Sequence, residues 1–357
     1  MGEVGEARKP ERAAGTEDGR CDEARLFLGA NDPESANPHV ALLFAGQGAQ
    51  HPGMGREIRD ASPAAAAVFA AADRARPGTS AQCFEGDAQE LALTKNTQPC
   101  VFATDLACAA ALGERGVRPA CVAGFSLGEL AALTFAGAMS LGQGFAVVGE
   151  RARLMEQACE ANPGGMVAVL KLSPDAVEGL AGEAGECWPV NYNSPQQTVV
   201  AGSPDGLARL AELVKRQGGR AMPLAVSGAF HSPAMAGATQ ALLPMLRGVG
   251  LAVPQADVWA NATAAPYPHD VEEMAELLAS QASHAVLWTD TLRGMWGRGV
   301  TTFVEVGAGH VLTGLVRRTL PEATAVSVET PAQLDEAVAA VEAARTADGA
   351  PAGDRRA

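Results

Sequence analysis

Apolar residues fall into two patterns along the chain. Short apolar runs bounded by Gly, Pro or polar residues alternate with longer stretches in which apolar positions recur every three to four residues. The first pattern reads as buried strands and the second as helices. Val40-Ala-Leu-Leu-Phe-Ala45 is such a run, and it ends in Gly46-Gln47-Gly48. A helical pattern covers 97–114, with Pro99 suited to its first turn, where a missing N–H costs nothing. A strand over 119–123 leads through a serine turn into a helix from Leu127, and a further helix runs from Gly142 to about Glu160. Val258–Asn261 and Thr302–Val306 read as strands and 309–318 as a helix. This alternation predicts an α/β fold with a parallel sheet.

The middle of the chain reads differently. Met166–Leu172, Trp188–Tyr192, Gln197–Ala201 and Arg220–Val226 are expected strands, with helices over 174–184 and 204–218. That order is β-α-β-β-α-β, a ferredoxin-like unit. The expected organisation is a large subdomain over 39–162 and 227–340, with the small ferredoxin-like subdomain at 163–226 inserted into it. Residues 1–38 and 341–357 are polar, rich in Gly or charge and without a period, and are expected to be disordered tails.

The 357 residues are 47% hydrophobic and 19% charged, enough for a sizeable core. No apolar run approaches the ~20 residues that span a bilayer. The first twenty residues lack an apolar signal core, so the expected location is the cytoplasm. The seven cysteines include no C-x-x-C pair, which argues against zinc and against a disulfide framework. A net charge of −14 argues against nucleic acid as a partner. An anionic ligand would need a local basic patch.

The stretch Ala123-Gly-Phe-Ser-Leu-Gly-Glu-Leu130 raises a chemical question. A serine flanked by glycines between a strand and a helix fits a nucleophile on a strained turn, with the helix N-terminus behind it to stabilise an oxyanion. It fits equally a serine cap followed by Glu129. A nucleophile needs a base, and the chain offers His39, His51, His231, His269, His284 and His310. His231, in Val226-Ser-Gly-Ala-Phe-His-Ser232, leaves the small unit among small residues that allow a tight approach to a pocket. The residue types alone do not choose among the six.

Eight segments in order carry a resemblance over about residues 39–320. They are Phe44-Ala-Gly-Gln-Gly-Ala-Gln50, Asn96-Thr-Gln-Pro99, Gly124-Phe-Ser-Leu-Gly-Glu129, Arg151-Ala-Arg-Leu-Met155, Asn162-Pro-Gly-Gly-Met166, Asn191-Tyr-Asn-Ser-Pro195, Gly228-Ala-Phe-His-Ser232 and Glu305-Val-Gly-Ala-Gly309. With them the chain resembles the malonyl-CoA:acyl carrier protein transacylases and the acyltransferase domains of polyketide synthases. The resemblance implies an α/β-hydrolase-like large subdomain with a ferredoxin-like insert. It implies Ser126 as nucleophile and His231 as base, with the backbone carbonyl of Leu287 orienting the histidine. It implies an oxyanion hole from the N–H groups of Gln47 and Leu127, and Arg151 on the malonyl carboxylate. Met155, Asn191, Asn193, Phe230 and Val311 match pocket positions, and Phe230 would occupy the space an α-methyl group needs. The implied partners are malonyl-CoA or coenzyme A and the phosphopantetheine of an acyl carrier protein. A basic patch drawn from Lys215, Arg220, Arg317 and Arg318 would meet them. No metal or redox cofactor is implied, nucleic acid and membrane are not expected, and a monomer is.

Two positions depart from the family pattern. Phe125 stands where a histidine usual in the family precedes the nucleophile, which bears on pocket polarity and acyl selection. His310 stands where a lysine is common, which bears on the choice of carrier. The competing readings are a transacylase for another acyl-CoA, a serine esterase, and a non-catalytic module that binds carrier protein. An esterase predicts an H-G-G-G-like loop, which is missing here, and it gives Arg151 no task.

Overall fold

The computed structural model describes Phe27, residues 36–226 and residues 228–346. Ten strands lie among these residues: β1 (Asn37–Phe44), β2 (Pro119–Gly124), β3 (Gly165–Leu170), β4 (Cys187–Ser194), β5 (Gln197–Gly202), β6 (Arg220–Pro223), β7 (Asp257–Ala260), β8 (Ala265–Pro266), β9 (Thr302–Val306) and β10 (Thr324–Val328). They form two sheets, ordered β10-β9-β1-β2-β7-β8 and β4-β5-β3-β6.

In the larger sheet every pairing is parallel except the β7–β8 edge hairpin. β1 lies between β2 and β9, with Phe44 opposite Gly124 and Val306. Residues 40–44 are all buried, because helices cover both faces and a parallel strand must then be apolar throughout. The helix Thr94–Glu114 runs beneath the sheet with residues 96–113 buried on every side. It begins a turn earlier than its apolar pattern suggests, and Pro99 lies inside it rather than in its first turn. That first turn forms because Asn96 and Thr97 both donate backbone N–H to Leu93, at 2.8 Å, and Arg76 Nη2 holds Asn96 Oδ1 at 3.0 Å.

The smaller sheet is antiparallel throughout, in the strand order of a ferredoxin-like unit. The helices Pro174–Ala184 and Pro204–Arg216 each start with a serine cap and a proline, a pairing that preorganises a first turn. Their apolar stripes bury Val177, Leu180, Leu210 and Val214 against Val169 and Val200. β6 stops at Pro223 instead of reaching Val226, and Leu224 makes one last bond, to the Met166 carbonyl at 2.9 Å. Residues 224–226 then turn toward the large sheet. Val190, Tyr192 and Val286 exchange backbone hydrogen bonds of 2.8 and 2.9 Å that tie β4 to the segment before the helix Trp288–Gly297.

Two ends differ from the expected tails. Phe27 is 1% exposed and packs on Phe135, with ring centroids 5.7 Å apart. The final helix, Pro331–Thr346, runs through residues 341–346. Val341 and Ala344 are buried there, and Asn37 Nδ2 donates to the Val341 carbonyl at 3.1 Å. The expected first tail also loses Asn37 and Pro38 to β1, where Asn37 is buried and its N–H donates to the Arg118 carbonyl at 2.8 Å. Apart from Phe27, residues 36–38 and residues 341–346, the expected tails lie outside the described residues. No described helix is long and apolar enough to cross a membrane.

Candidate active site

The site is built on the turn that leaves β2. Gly124 and Gly128 are required there by contact. A Cβ on Gly124 would sit 1.9 Å from the Gly128 carbonyl, and one on Gly128 would sit 2.2 Å from the Phe44 carbonyl oxygen. The helix Gly128–Phe135 therefore starts directly against the ends of β1 and β2. Between the glycines Ser126 is held at φ 52°, a region costly for a residue with a Cβ. Asn261, just past β7, supports it. Its Oδ1 accepts the Ser126 N–H at 2.7 Å, while its Nδ2 donates to the Gly124 carbonyl at 2.7 Å.

Ser126 Oγ lies 2.7 Å from His231 Nε2. His231 is also at positive φ, 61°, and its backbone N–H donates to the Ala282 carbonyl at 2.9 Å. Its Nδ1 meets two carbonyl oxygens, of Gln281 at 3.0 Å and His284 at 3.1 Å. A nitrogen between two acceptors must carry the proton, so Nε2 is the free acceptor facing the serine hydroxyl. The carbonyl of Leu287, expected to orient the ring, is used elsewhere. Leu287 caps the helix Trp288–Gly297 and accepts both the N–H and the hydroxyl of Thr291 at 2.9 Å. Burial, with the Arg151 charge added, lowers the His231 pKa to about 4.

Arg151 projects from the helix Leu141–Ala161 and is 3% exposed. Nη1 donates to Gln98 Oε1 at 2.9 Å, and Nη2 donates to Gln281 Oε1 at 2.8 Å and to Ser126 Oγ at 3.2 Å. All three partners are neutral. Burial lowers the guanidinium to about 10, against the opposing pull of the Glu129 charge. A buried cation with only neutral partners is costly, and it is set to receive an anion.

A cavity of about 440 Å³ opens over these groups, lined by Ser126, His231 and Arg151. Gln47, Met155, Asn191, Asn193, Phe230 and Val311 also line it. Met155 Sδ accepts from Gln98 Nε2 at 3.6 Å. Asn191 and Asn193 are buried with unpaired Oδ1 atoms. Phe230 is buried, whereas Val311 is 55% exposed. Leu127 follows Ser126 at the helix start, with its side chain in the core rather than on the wall. Phe125 lines the cavity and stacks edge-on against Trp288, with centroids 5.2 Å apart. His310 is exposed before the helix Val311–Thr319. Of the basic residues, Arg318 reaches Gln197 of the cavity wall at 3.1 Å and Arg317 turns to the Ala325 carbonyl at 2.8 Å. Lys215 and Arg220 are exposed on the small subdomain. Among the described residues no group of His, Cys, Asp or Glu could hold a metal ion.

Sequence reasoning missed the residues that hold these groups in place. They are Gln98, Asn261, Gln281 and the carboxylate of Glu129. Gln98 and Glu129 lie within two of the segments that carry the resemblance, Asn96–Pro99 and Gly124–Glu129, and Asn261 closes an apolar run, but the sequence gives none of the four a role.

Residues 41–346 match the acyl transferase domain family. The chain is 35% identical over 305 residues to the malonyl CoA-acyl carrier protein transacylase of Bacillus subtilis (strain 168), covering 84% of this chain and 96% of that protein. The crystal structure of the transacylase of that name from Clostridium perfringens superposes with a TM-score of 0.83 at 32% identity, covering 87% of this chain and 99% of that one. A malonyl-transacylase in complex with a type II polyketide synthase acyl-carrier protein superposes with a TM-score of 0.82 at 32% identity, covering 85% and 99%. The chain belongs to the acyl transferase domain family, the family of the malonyl CoA-acyl carrier protein transacylases.

Proposed function

We propose that this protein moves a malonyl group from malonyl-CoA to the phosphopantetheine thiol of an acyl carrier protein, in fatty acid or polyketide synthesis. The observation that carries the reading is Arg151, buried with neutral partners and 3.2 Å from Ser126 Oγ. A guanidinium so placed pairs with the free carboxylate at the far end of a malonyl thioester while the near carbonyl meets the serine.

The reaction proceeds in two half-steps. His231 Nε2 takes the Ser126 hydroxyl proton as Oγ attacks the thioester carbonyl. The N–H groups of Gln47 and Leu127 stabilise the oxyanion. The C–S bond breaks, and coenzyme A leaves as the thiol with the proton from His231. The carrier thiol then gives its proton to His231 and attacks the malonyl-serine ester, and Ser126 regains its hydroxyl proton. Apolar walls from Met155, Phe125 and Phe230 keep water from the ester. The chemistry asks for no metal or redox group. Phe230 closes the space beside the acyl α-carbon, which favours malonyl over methylmalonyl.

The test is transfer. Protein preloaded with malonyl-CoA and freed of nucleotide passes its acyl group to added holo-carrier protein, and the Ser126→Ala protein passes none. Hydrolysis of simple esters without acyl transfer would replace this reading with an esterase.

A further inference from the structure

We propose that Glu129 is a positioning residue: its ionised carboxylate fixes the Gln281 carboxamide and, through it, the direction in which Arg151 faces the cavity. Glu129 is 1% exposed and stands outside the cavity lining. It touches no substrate and acts through its neighbours.

Both amide hydrogens of Gln281 are committed. Nε2 donates to the Ser126 carbonyl at 2.6 Å and to Glu129 Oε2 at 3.0 Å. Only Oε1 remains to face Arg151 Nη2, at 2.8 Å. An ionised carboxylate can only accept. A turned-over Gln281 would set its oxygen against two acceptors and its NH2 against the guanidinium. Glu129 Oε2 also accepts the Asn261 N–H at 3.1 Å, and Asn261 holds the Ser126 N–H. The carboxylate thus stands behind both Ser126 and Arg151.

The titratable or charged groups facing Glu129 are Tyr267, past β8, whose hydroxyl donates to Oε1, and Arg151; Asn261 and Gln281 are neutral. Burial raises Glu129 to about 7, while the hydrogen bonds from Tyr267, Gln281 and Asn261 and the Arg151 charge oppose the shift. Once protonated, Glu129 is neutral and a weaker acceptor, so its hold on Gln281 Nε2 loosens. Gln281 Oε1 then fixes Arg151 less firmly.

The inference rests on Arg151 taking the acyl carboxylate. The experiment is single-turnover loading of Ser126 by malonyl-CoA and by acetyl-CoA, followed from pH 5.5 to 8.5 and expressed as a ratio. The wild-type ratio should fall as pH drops through about 7, and Glu129→Gln should lower it about tenfold or more and abolish that pH limb. Tyr267→Phe removes a donor that favours the ionised form, so its limb should move to higher pH; this variant also serves if Glu129→Gln fails to fold. Equal losses for both acyl groups in Glu129→Gln, or an unmoved limb in Tyr267→Phe, would overturn the inference. A ratio that depends on Arg151 but ignores Glu129 sinks the inference alone. A ratio indifferent to Arg151→Ala sinks the functional reading with it.

Discussion

Ser126 and His231 meet with both backbones in the left-handed region, at φ 52° and 61°, and with Oγ and Nε2 2.7 Å apart. Each such conformation costs on the order of 1–3 kcal/mol and persists only where its surroundings hold it. Ser126 is held through Asn261 and His231 through the Ala282, Gln281 and His284 carbonyls. Asn261→Ala releases both the Ser126 N–H and the Gly124 carbonyl. We expect it to slow acyl loading by about tenfold or more and to lower the melting temperature, read by stopped-flow loading and calorimetry.

The low pKa of His231 makes a signed prediction about stability. Its folded value of about 4 lies below the ordinary 6.5, so between these values the folded state binds fewer protons than the unfolded one. The contribution of the neutral ring is complete above pH 6.5 and is lost as pH falls toward 4. Denaturation midpoints of wild type and His231→Gln, compared from pH 4 to 7, should diverge with rising pH and level off above 6.5. A difference that stays flat over the range would contradict the buried neutral ring.

The guanidinium of Arg151 divides its donors among Gln98, Gln281 and Ser126. A lysine is a point charge without that planar fork. Arg151→Lys should keep the positive charge yet lose about tenfold or more in malonyl loading, with acetyl loading affected less. Full activity in the lysine variant would mean that charge alone suffices.

On the proposed function, Phe230, which lines the cavity, bears on acyl choice. A steric restriction of this size is worth ~1–3 kcal/mol. Phe230→Ser should therefore raise methylmalonyl loading relative to malonyl by about ten- to a hundredfold, measured by competition between the two thioesters and intact mass.

Two glycines separate contact from conformation. Gly124→Ala drives a Cβ to within 1.9 Å of backbone at Gly128, and nothing there can yield. We expect a loss of about 3 kcal/mol or more, seen as a collapsed denaturation midpoint or insoluble protein. Gly142 has open space around a Cβ and an ordinary φ in the helix Leu141–Ala161. Gly142→Ala should instead stabilise by about 0.4–1 kcal/mol.

Sequence revealed the parts of this fold whose residues are constrained from both sides. β1 and β2 read as near-continuous apolar runs because layers cover both faces, and β9 is buried throughout although it carries Thr302 and Glu305. The two small-subdomain helices, expected over 174–184 and 204–218, stand at Pro174–Ala184 and Pro204–Arg216, each opened by a serine cap and a proline. The short helices Arg56–Ala61 and Thr79–Glu85 went unread because they begin at left-handed Gly55 and Gly78, without a side-chain cap. The serine turn was legible because close backbone approach demands glycine at fixed spacing. The carbonyls that hold His231 were not, since a backbone oxygen leaves no mark on residue type. Gln281 joins Ser126, Glu129 and Arg151 across separations of 155, 152 and 130 residues, distances over which a single sequence shows no pairing.

The central claim is that a buried arginine selects a carboxylated acyl group for Ser126, and intact mass of the loaded protein tests it most directly. Wild-type protein exposed to equal malonyl-CoA and acetyl-CoA should carry the malonyl adduct, Arg151→Ala should carry mainly acetyl, and Ser126→Ala should carry neither. An unchanged malonyl preference in Arg151→Ala, or an adduct that survives Ser126→Ala, would contradict the account.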